Sequence, residues 1–273
     1  MKVALIKSPW WVRYCPPYIL GFFAALLRDH GHQAYPYDLN NMLYYDVKPE
    51  FRKYWDDRDY YSFWEDPAFI QYLFWECGFD SVLEKITLKE SRIFCFTTHT
   101  PNVLISLKLA EEIKNLNKDA IVIFMGHKCS RAQMAHDFIR YDSVDYVCTG
   151  EADIALPELL SKLEGRRRSD MPECKGFLLK KDGNIIDCGD PQIVADLDSV
   201  PFPDYSDLME TVPHMPYSQP CRLDILDSRG CVNACHFCYE RLYWQKFRTM
   251  SAQRIYEQIN CHYNQFPGID TFY

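Results

Sequence analysis

Apolar positions along the chain fall into short continuous runs that alternate with stretches of helical period. Val3 to Ile6 is such a run, closed by Lys7-Ser8-Pro9, and helical spacing follows from about Tyr18 to His30, where Gly31 stops it. A second short strand is expected around Gln33 to Tyr37. The alternation resumes with a buried-type strand at Ile93 to Phe96, then Thr100 as N-cap and Pro101 at the first helical position of a helix striped by Ile105, Leu109, Ile113 and Leu116. Ile121 to Met125 is the next strand. Ser130 with Gln133 has the spacing of a capping box for a helix reaching about Arg140. Val144 to Cys148 is the fifth strand, and a last helix runs from about Leu156 to just before Gly165.

Five short strands alternating with helices require right-handed crossovers and a parallel sheet covered on both faces. The expected fold class is α/β, a flavodoxin-like (Rossmann-like) sheet of order 2-1-3-4-5 over residues 1–165. Between the second and third strands the stretch from Tyr44 to Phe79 carries fourteen aromatic residues and reads as a largely helical insertion, bounded at 44–88. Its aromatics are either the core of a small subdomain or a wall for an apolar ligand. Residues 166–218 read as an ordered connector with a hairpin from Gly176 to Cys188, turning at Asp182-Gly183-Asn184, and a proline-rich Pro201-Phe202-Pro203-Asp204. An apolar strand, Leu223 to Leu226, then leads into Ser228-Arg229-Gly230-Cys231. Beyond that, Ser251 caps a helix with Ile255, Ile259 and Tyr263 on one face, and Gly268 to Tyr273 begins another strand.

Length and charge narrow the functional classes. At 273 residues the chain has room for roughly two domains at about 150 residues each. The excess of 38 acidic over 30 basic residues argues against nucleic acid or an anionic membrane as partner. No apolar stretch is long enough for a signal peptide or a span, so the expectation is a cytoplasmic protein. Cysteines kept reduced there are not a disulfide scaffold, and nine of the twelve are scattered singly, as small buried side chains would be.

The other three carry chemistry. Cys231, Cys235 and Cys238 lie within eight residues, directly after a strand. Thiolates bind soft or borderline metals, and three on one loop can converge on one centre. A structural zinc site wants a fourth ligand, which only His236 in the same loop could supply. A four-iron cluster with one iron left open matches better.

At this point the sequence resembles the radical S-adenosylmethionine superfamily, whose signature is three cysteines spaced by three and then two residues, with an aromatic residue before the last, here Phe237. The resemblance implies a 4Fe-4S cluster held by Cys231, Cys235 and Cys238. S-adenosyl-L-methionine would chelate the open iron, with Phe237 and Tyr239 near the adenine, and one electron would cleave it to a 5′-deoxyadenosyl radical. A strand-helix domain ending in Gly150-Glu151, followed by Pro201-Phe202-Pro203-Asp204-Tyr205 and the cysteine loop, is similar to the cobalamin-binding branch of that superfamily. That likeness implies cobalamin at the carboxyl edge of the sheet, lined by Ser8, Pro9, Thr98, His99, Gly126, His127, Gly150 and Glu151, and chemistry that is often methyl transfer. It further implies a small-molecule or peptide substrate and an electron donor such as flavodoxin or ferredoxin. None of the eight histidines stands in Asp-x-His-x-x-Gly, so that motif does not hold the cobalt.

A full (β/α)₈ barrel takes about 250 residues, and residues 219–273 offer only its first unit. The expectation is therefore the N-terminal portion of a longer enzyme, with no substrate-contacting residue in view. The rival readings are a non-catalytic cobalamin-binding or regulatory fragment, a radical enzyme whose sheet domain binds no cobalamin, and a zinc-stabilised interaction domain.

Overall fold

The structure is a computed structural model that describes residues 1–13, 15–56, 58–76, 79–209, 222–269 and 271–273. In chain order the elements are β1 (Lys2–Lys7), α1 (Tyr18–Asp29), β2 (Gln33–Asp38), α2 (Leu39–Asp46), α3 (Lys53–Asp56), α4 (Pro67–Glu76), α5 (Phe79–Thr87), β3 (Ile93–Thr97), α6 (Val103–Leu116), β4 (Ile121–Met125), α7 (Ala135–Phe138), β5 (Tyr146–Cys148) and α8 (Ala155–Leu163). They continue with β6 (Phe177–Lys181), β7 (Asn184–Asp187), α9 (Ser206–Met209), β8 (Arg222–Leu223), β9 (Ser228–Arg229), α10 (Glu240–Trp244), β10 (Arg248–Thr249), α11 (Ala252–Gln265) and β11 (Thr271–Phe272). None of the described helices is long and apolar enough to cross a membrane.

Seven strands form one sheet in the order β2-β1-β3-β4-β5-β6-β7. The first five are parallel, in the predicted 2-1-3-4-5 order, and the hairpin β6-β7 adds to the β5 edge antiparallel. Strand period explains why these runs are apolar throughout. Ala4 and Ile6, Phe94 and Phe96, and Val122 and Phe124 enter the core under α5, α6 and the aromatic insertion. Their alternates Val3 and Leu5, Ile93 and Cys95, and Ile121 and Ile123 enter the core under α1 and α8. Helix α1 ends as Gly31 predicts. With φ +79° the glycine lets its own N–H reach the Arg28 carbonyl (2.9 Å) and the His32 N–H reach that of Leu27 (2.9 Å), a Schellman motif.

The insertion is helical, and Trp55, Trp64, Phe51, Phe69 and Phe79 are buried within the core it shares with the sheet. Trp64 Nε1 donates to the Tyr54 carbonyl (3.0 Å) and its ring meets Trp55 edge-on at 4.9 Å. The proline-rich connector is equally anchored. Tyr205 is buried against Gly21 of α1, donates its hydroxyl to the Asp224 carbonyl (2.6 Å), and follows an Asp204 paired with Arg28.

Several local expectations are corrected. Pro101 lies in a 3₁₀ turn, Thr100–Asn102, so α6 starts at Val103, and Asn102 Oδ1 accepts from the His99 N–H (2.8 Å). The Ser130–Gln133 capping box does not form, because Gln133 N–H bonds the Ser130 carbonyl in a turn, and α7 is only four residues long. Strand β5 begins at Tyr146 and not at Val144, after a turn closed by Val144 N–H on the Tyr141 carbonyl. The strand expected over Leu223–Leu226 is confined to Arg222–Leu223, which pairs in parallel with β11 across α11. Ser251 does cap α11, accepting from Arg254 N–H (3.1 Å), but the helix buries Gln258 and His262 and leaves Tyr263 exposed. His262, its ring 5.3 Å from that of Tyr205, is pushed down to about pKa 4 by burial. Of the nine scattered cysteines, Cys15, Cys95, Cys129, Cys148 and Cys174 are buried, Cys188 is half-buried and Cys261 is exposed. Cys77 and Cys221 lie outside the described residues.

Candidate functional site

In a parallel sheet the loops leaving the carboxyl ends of the strands share one edge, and that edge is where ligands gather. Here the loops after β1, β3, β4 and β5 bring Ser8, Pro9, Thr98, His99, Gly126, His127, Gly150 and Glu151 to that edge. The segment from β9 to β10, which carries the three cysteines and α10, lies across it. Two cavities separate the layers. The first, about 260 Å³, is lined by Phe22 and Phe23 of α1, Gly126, Glu151, Arg229 and Trp244 among others. The second, about 340 Å³, is lined by His99, His127, Phe237, Cys238 and Tyr239 among others, and Glu240 and Tyr243 line both.

The residues expected at this edge divide between the two cavities and the loops beside them. His99, His127, Phe237, Cys238 and Tyr239 face the second cavity, and Gly126 and Glu151 the first. Ser8, Pro9, Thr98 and Gly150 line neither of these two cavities. Thr98 Oγ1 donates to the Met125 carbonyl (3.1 Å), and Gly150 packs so closely on Pro191 that a Cβ there would stand 2.9 Å from the proline ring. At Gly126, φ +106° and a would-be Cβ 2.7 Å from the Thr98 carbonyl oxygen leave room only for glycine.

His99 is committed. Its Nε2 lies 3.0 Å from the Trp10 carbonyl, which can only accept, so Nε2 carries the proton and Nδ1 accepts from Lys7 Nζ at 2.9 Å. Burial first and Lys7 second push His99 down to about pKa 3. Both ring nitrogens are thus occupied by the protein. Lys7, the polar end of β1, is buried with its ammonium 4.4 Å from the Trp11 ring. Burial lowers it to about 7, with Asp38, its register partner on β2, acting the other way. Burial raises Asp38 in turn to about 6, against hydrogen bonds from Asn41. His127 is more open, its Nδ1 3.4 Å from Glu240 Oε1 and its ring edge-on to Tyr243 at 4.4 Å.

Glu151 also differs from a simple lining residue. Its carboxylate is fully buried and takes Arg229 Nη1 on Oε1 (2.7 Å) and Arg248 Nη2 on Oε2 (2.7 Å), while Val194 N–H donates to Oε1 (3.1 Å). Asp153 Oδ1 takes a second bond from Arg229 Nη1 (2.8 Å). Burial alone would lower the Arg229 pKa, but Asp153 and Glu151 overcome it and hold it above its ordinary value.

The donor chemistry of the cysteine loop fits a thiolate-held metal cluster. Cys231, Cys235 and Cys238 are free thiols, half-exposed or exposed, and Cys231 Sγ is close only to the Asn233 N–H at 3.4 Å among the hydrogen bonds described. Their sulfurs are not gathered as around an ion. Among the described residues, no group of three or more His, Cys, Asp or Glu side chains is. Phe237, 85% exposed, and Tyr239 offer flat apolar faces beside Cys238.

No protein-family model matches the chain. Two curated proteins do, both named anaerobic magnesium-protoporphyrin IX monomethyl ester cyclase. That of Synechocystis sp. is 23% identical over 125 residues, 45% of this chain and 24% of its own length. That of Rubrivivax gelatinosus is 22% identical over 204 residues, 71% of this chain and 35% of its own. Among solved structures, the cobalamin-dependent S-adenosylmethionine radical enzyme OxsB, with aqua-cobalamin and S-adenosylmethionine bound, covers 100% of this chain with 33% of its own, at TM-score 0.69 and 13% identity. The radical S-adenosylmethionine methyltransferase TsrM from Kitasatospora setae, with tryptophan and a S-adenosylmethionine analogue bound, covers 100% with 47% of its own, at TM-score 0.64 and 18% identity. TsrM has also been solved with cobalamin and a [4Fe-4S] cluster. The chain thus spans about a quarter to a third of the curated relatives and a third to a half of the solved ones. Its fold is that of the cobalamin-dependent S-adenosylmethionine radical enzymes.

Proposed function

We propose that this chain is the cofactor-binding part of a cobalamin-dependent radical S-adenosylmethionine enzyme. Cys231, Cys235 and Cys238 would hold a 4Fe-4S cluster, Phe237 and Tyr239 would lie against the adenine of S-adenosylmethionine, and the crevice at the carboxyl edge of the sheet would take the cobalamin. The observation that carries this reading is the placement of three free thiols on one open loop over the crevice of that fold. When bound, the cluster would supply the electron that cleaves S-adenosylmethionine and the cobalamin a transferable methyl group. The protein's part is to hold the two facing each other. His99 is fixed by Lys7 and Trp10 as a neutral donor in the wall, so it offers no free nitrogen to cobalt. Two buried hydroxyls near the same edge, Ser8 Oγ and Ser130 Oγ, lack a hydrogen-bond partner among the described residues and could meet polar groups of a bound cofactor.

Methyl transfer to a small-molecule or peptide substrate is the first reading, with flavodoxin or ferredoxin as the electron source. The curated relatives are named for a cyclase, which supports ring formation as the second reading. Anaerobic reconstitution with iron and sulfide tests the core of the proposal. About four irons per chain with broad absorbance near 400 nm is the expected result, and one zinc with no iron would overturn it. Hydroxocobalamin should stay with the protein through desalting, and a colourless protein would remove the cobalamin half. The product of turnover separates a methylated from a cyclised substrate.

A further inference from the structure

The two arginines that meet Glu151 come from opposite sides of the cysteine loop. Arg229 ends β9 and Arg248 begins β10, and the two are direct partners in the antiparallel register. Everything between them, residues 230–247, is one loop containing all three clustered cysteines. Its neck is narrow. Gly230 has φ +86°, and a Cβ there would stand 2.5 Å from the Lys246 carbonyl oxygen, so the chain ends of the loop touch. Just outside, Met250 N–H closes on the Asp227 carbonyl at 2.7 Å.

Two guanidinium groups directly opposite each other on a two-residue ladder repel. The Glu151 carboxylate, from the loop after β5, lies between them: its Oε1 accepts from Arg229 Nη1 (2.7 Å) and Arg248 Nη1 (3.2 Å), and its Oε2 from Arg248 Nη2 (2.7 Å). All three side chains are more than nine-tenths buried, so the interaction is little screened and directional. The same carboxylate lines the first cavity.

We infer that Glu151 is a positioning residue for the metal-binding loop. Through Arg229 and Arg248 it fixes the neck, and hence the thiols of Cys231, Cys235 and Cys238, at a set place over the crevice. The inference rests on the proposed function for what the thiols hold, but its geometric half does not.

Hydrogen exchange on the chain before iron is added reads that half directly. Glu151→Gln keeps the shape and removes the charge. Backbone amides at 228–229 and 248–250 should then exchange at least about ten-fold faster, while those of β1, β3 and β4 stay unchanged. Leu159→Ala, at a fully buried position of α8 that makes no bond to Glu151, Arg229 or Arg248, reports what general destabilisation does. On the reconstituted protein, Glu151→Gln should take up as much iron as the unsubstituted chain, since all three cysteines remain. The electron paramagnetic resonance spectrum of its reduced cluster should differ in g-values and in its response to S-adenosylmethionine. If Glu151→Gln does not accumulate folded, Arg248→Lys decides, because it keeps the charge and loses the second N–H, with neck exchange rising about three-fold. Neck exchange that is unchanged, or that rises only in step with the sheet as in Leu159→Ala, overturns the inference. A spectrum identical to that of the unsubstituted chain overturns its cluster half. If the unsubstituted chain binds no iron, the proposed function falls and the exchange result still decides the neck.

Discussion

The aromatic insertion and the cysteine loop are built on opposite principles. The insertion buries Trp55, Trp64, Phe69 and Phe79 in a core shared with the sheet, and its order comes from area removed from water and from ring-on-ring packing. The cysteine loop exposes Val232, Phe237, Tyr239 and Leu242, and it is held by charges at its neck. The first region is ordered by apolar packing against the sheet. The second carries the three thiols of the proposed cluster site and is tied to the sheet through Glu151 and Asp153. The lesson is that aromatic residues serve as core in the insertion, while in the cysteine loop Phe237, Tyr239 and Phe247 stay exposed beside the thiols.

Four substitutions would break or sharpen that contrast. The largest effect is expected from Trp64→Ala, which empties a fully buried site and should cost about 3–5 kcal/mol in denaturant titration, with iron uptake per folded molecule unchanged. Equal loss of iron and stability would mean that the insertion also shapes the loop. Lys7 comes next. Its folded pKa of about 7 lies below the unfolded value, so the unfolded chain binds more protons above pH 7 and stability should rise with pH. Between pH 7 and 8.5 Asp38, at about 6, stays ionised and His99, at about 3, stays neutral. The unsubstituted chain should therefore gain up to about 1.4 kcal/mol per pH unit relative to Lys7→Met, and parallel pH profiles would remove the buried amine from the account. Tyr205→Phe deletes the hydroxyl that bridges the connector to Asp224 and should lower stability by about 1 kcal/mol. A much larger loss would make the connector part of the core. Smallest in stability is Cys235→Ser. An exposed thiol should be replaceable within about 0.5 kcal/mol, yet iron uptake should collapse. Full iron retention would separate the loop from metal binding altogether.

Much of the sheet was legible because its strands are buried on both faces and therefore read as continuous apolar runs. Ile93 to Phe96 and Ile121 to Met125 need no context to be recognised. Helix ends depended on backbone chemistry, and Gly31 was decisive where Ser130 was not, since a serine can bond its turn through the main chain and leave its hydroxyl idle. The cysteines were legible as a spacing, but the arrangement that holds them was not. Arg229 and Arg248 stand nineteen positions apart on two-residue strands of mixed polarity, and no periodicity announces such a register. Lys7 and Asp38 were hidden for a related reason. Each is a polar residue at the end of a strand, a place where solvent is the ordinary expectation, yet both are buried, Lys7 beside the Trp11 ring and Asp38 on Asn41.

The opposed arginines have a consequence for the order in which the chain assembles. The carboxylates that pair with Arg229, Glu151 and Asp153, lie 78 and 76 positions earlier in the chain. During synthesis the edge that presents Glu151 therefore emerges before either arginine, and the thiol-bearing segment finds its anchor already built. Domains tend to fold in that direction, from the N-terminus onward. If Glu151 positions the neck as inferred, the cysteines take their place on a sheet that is already folded.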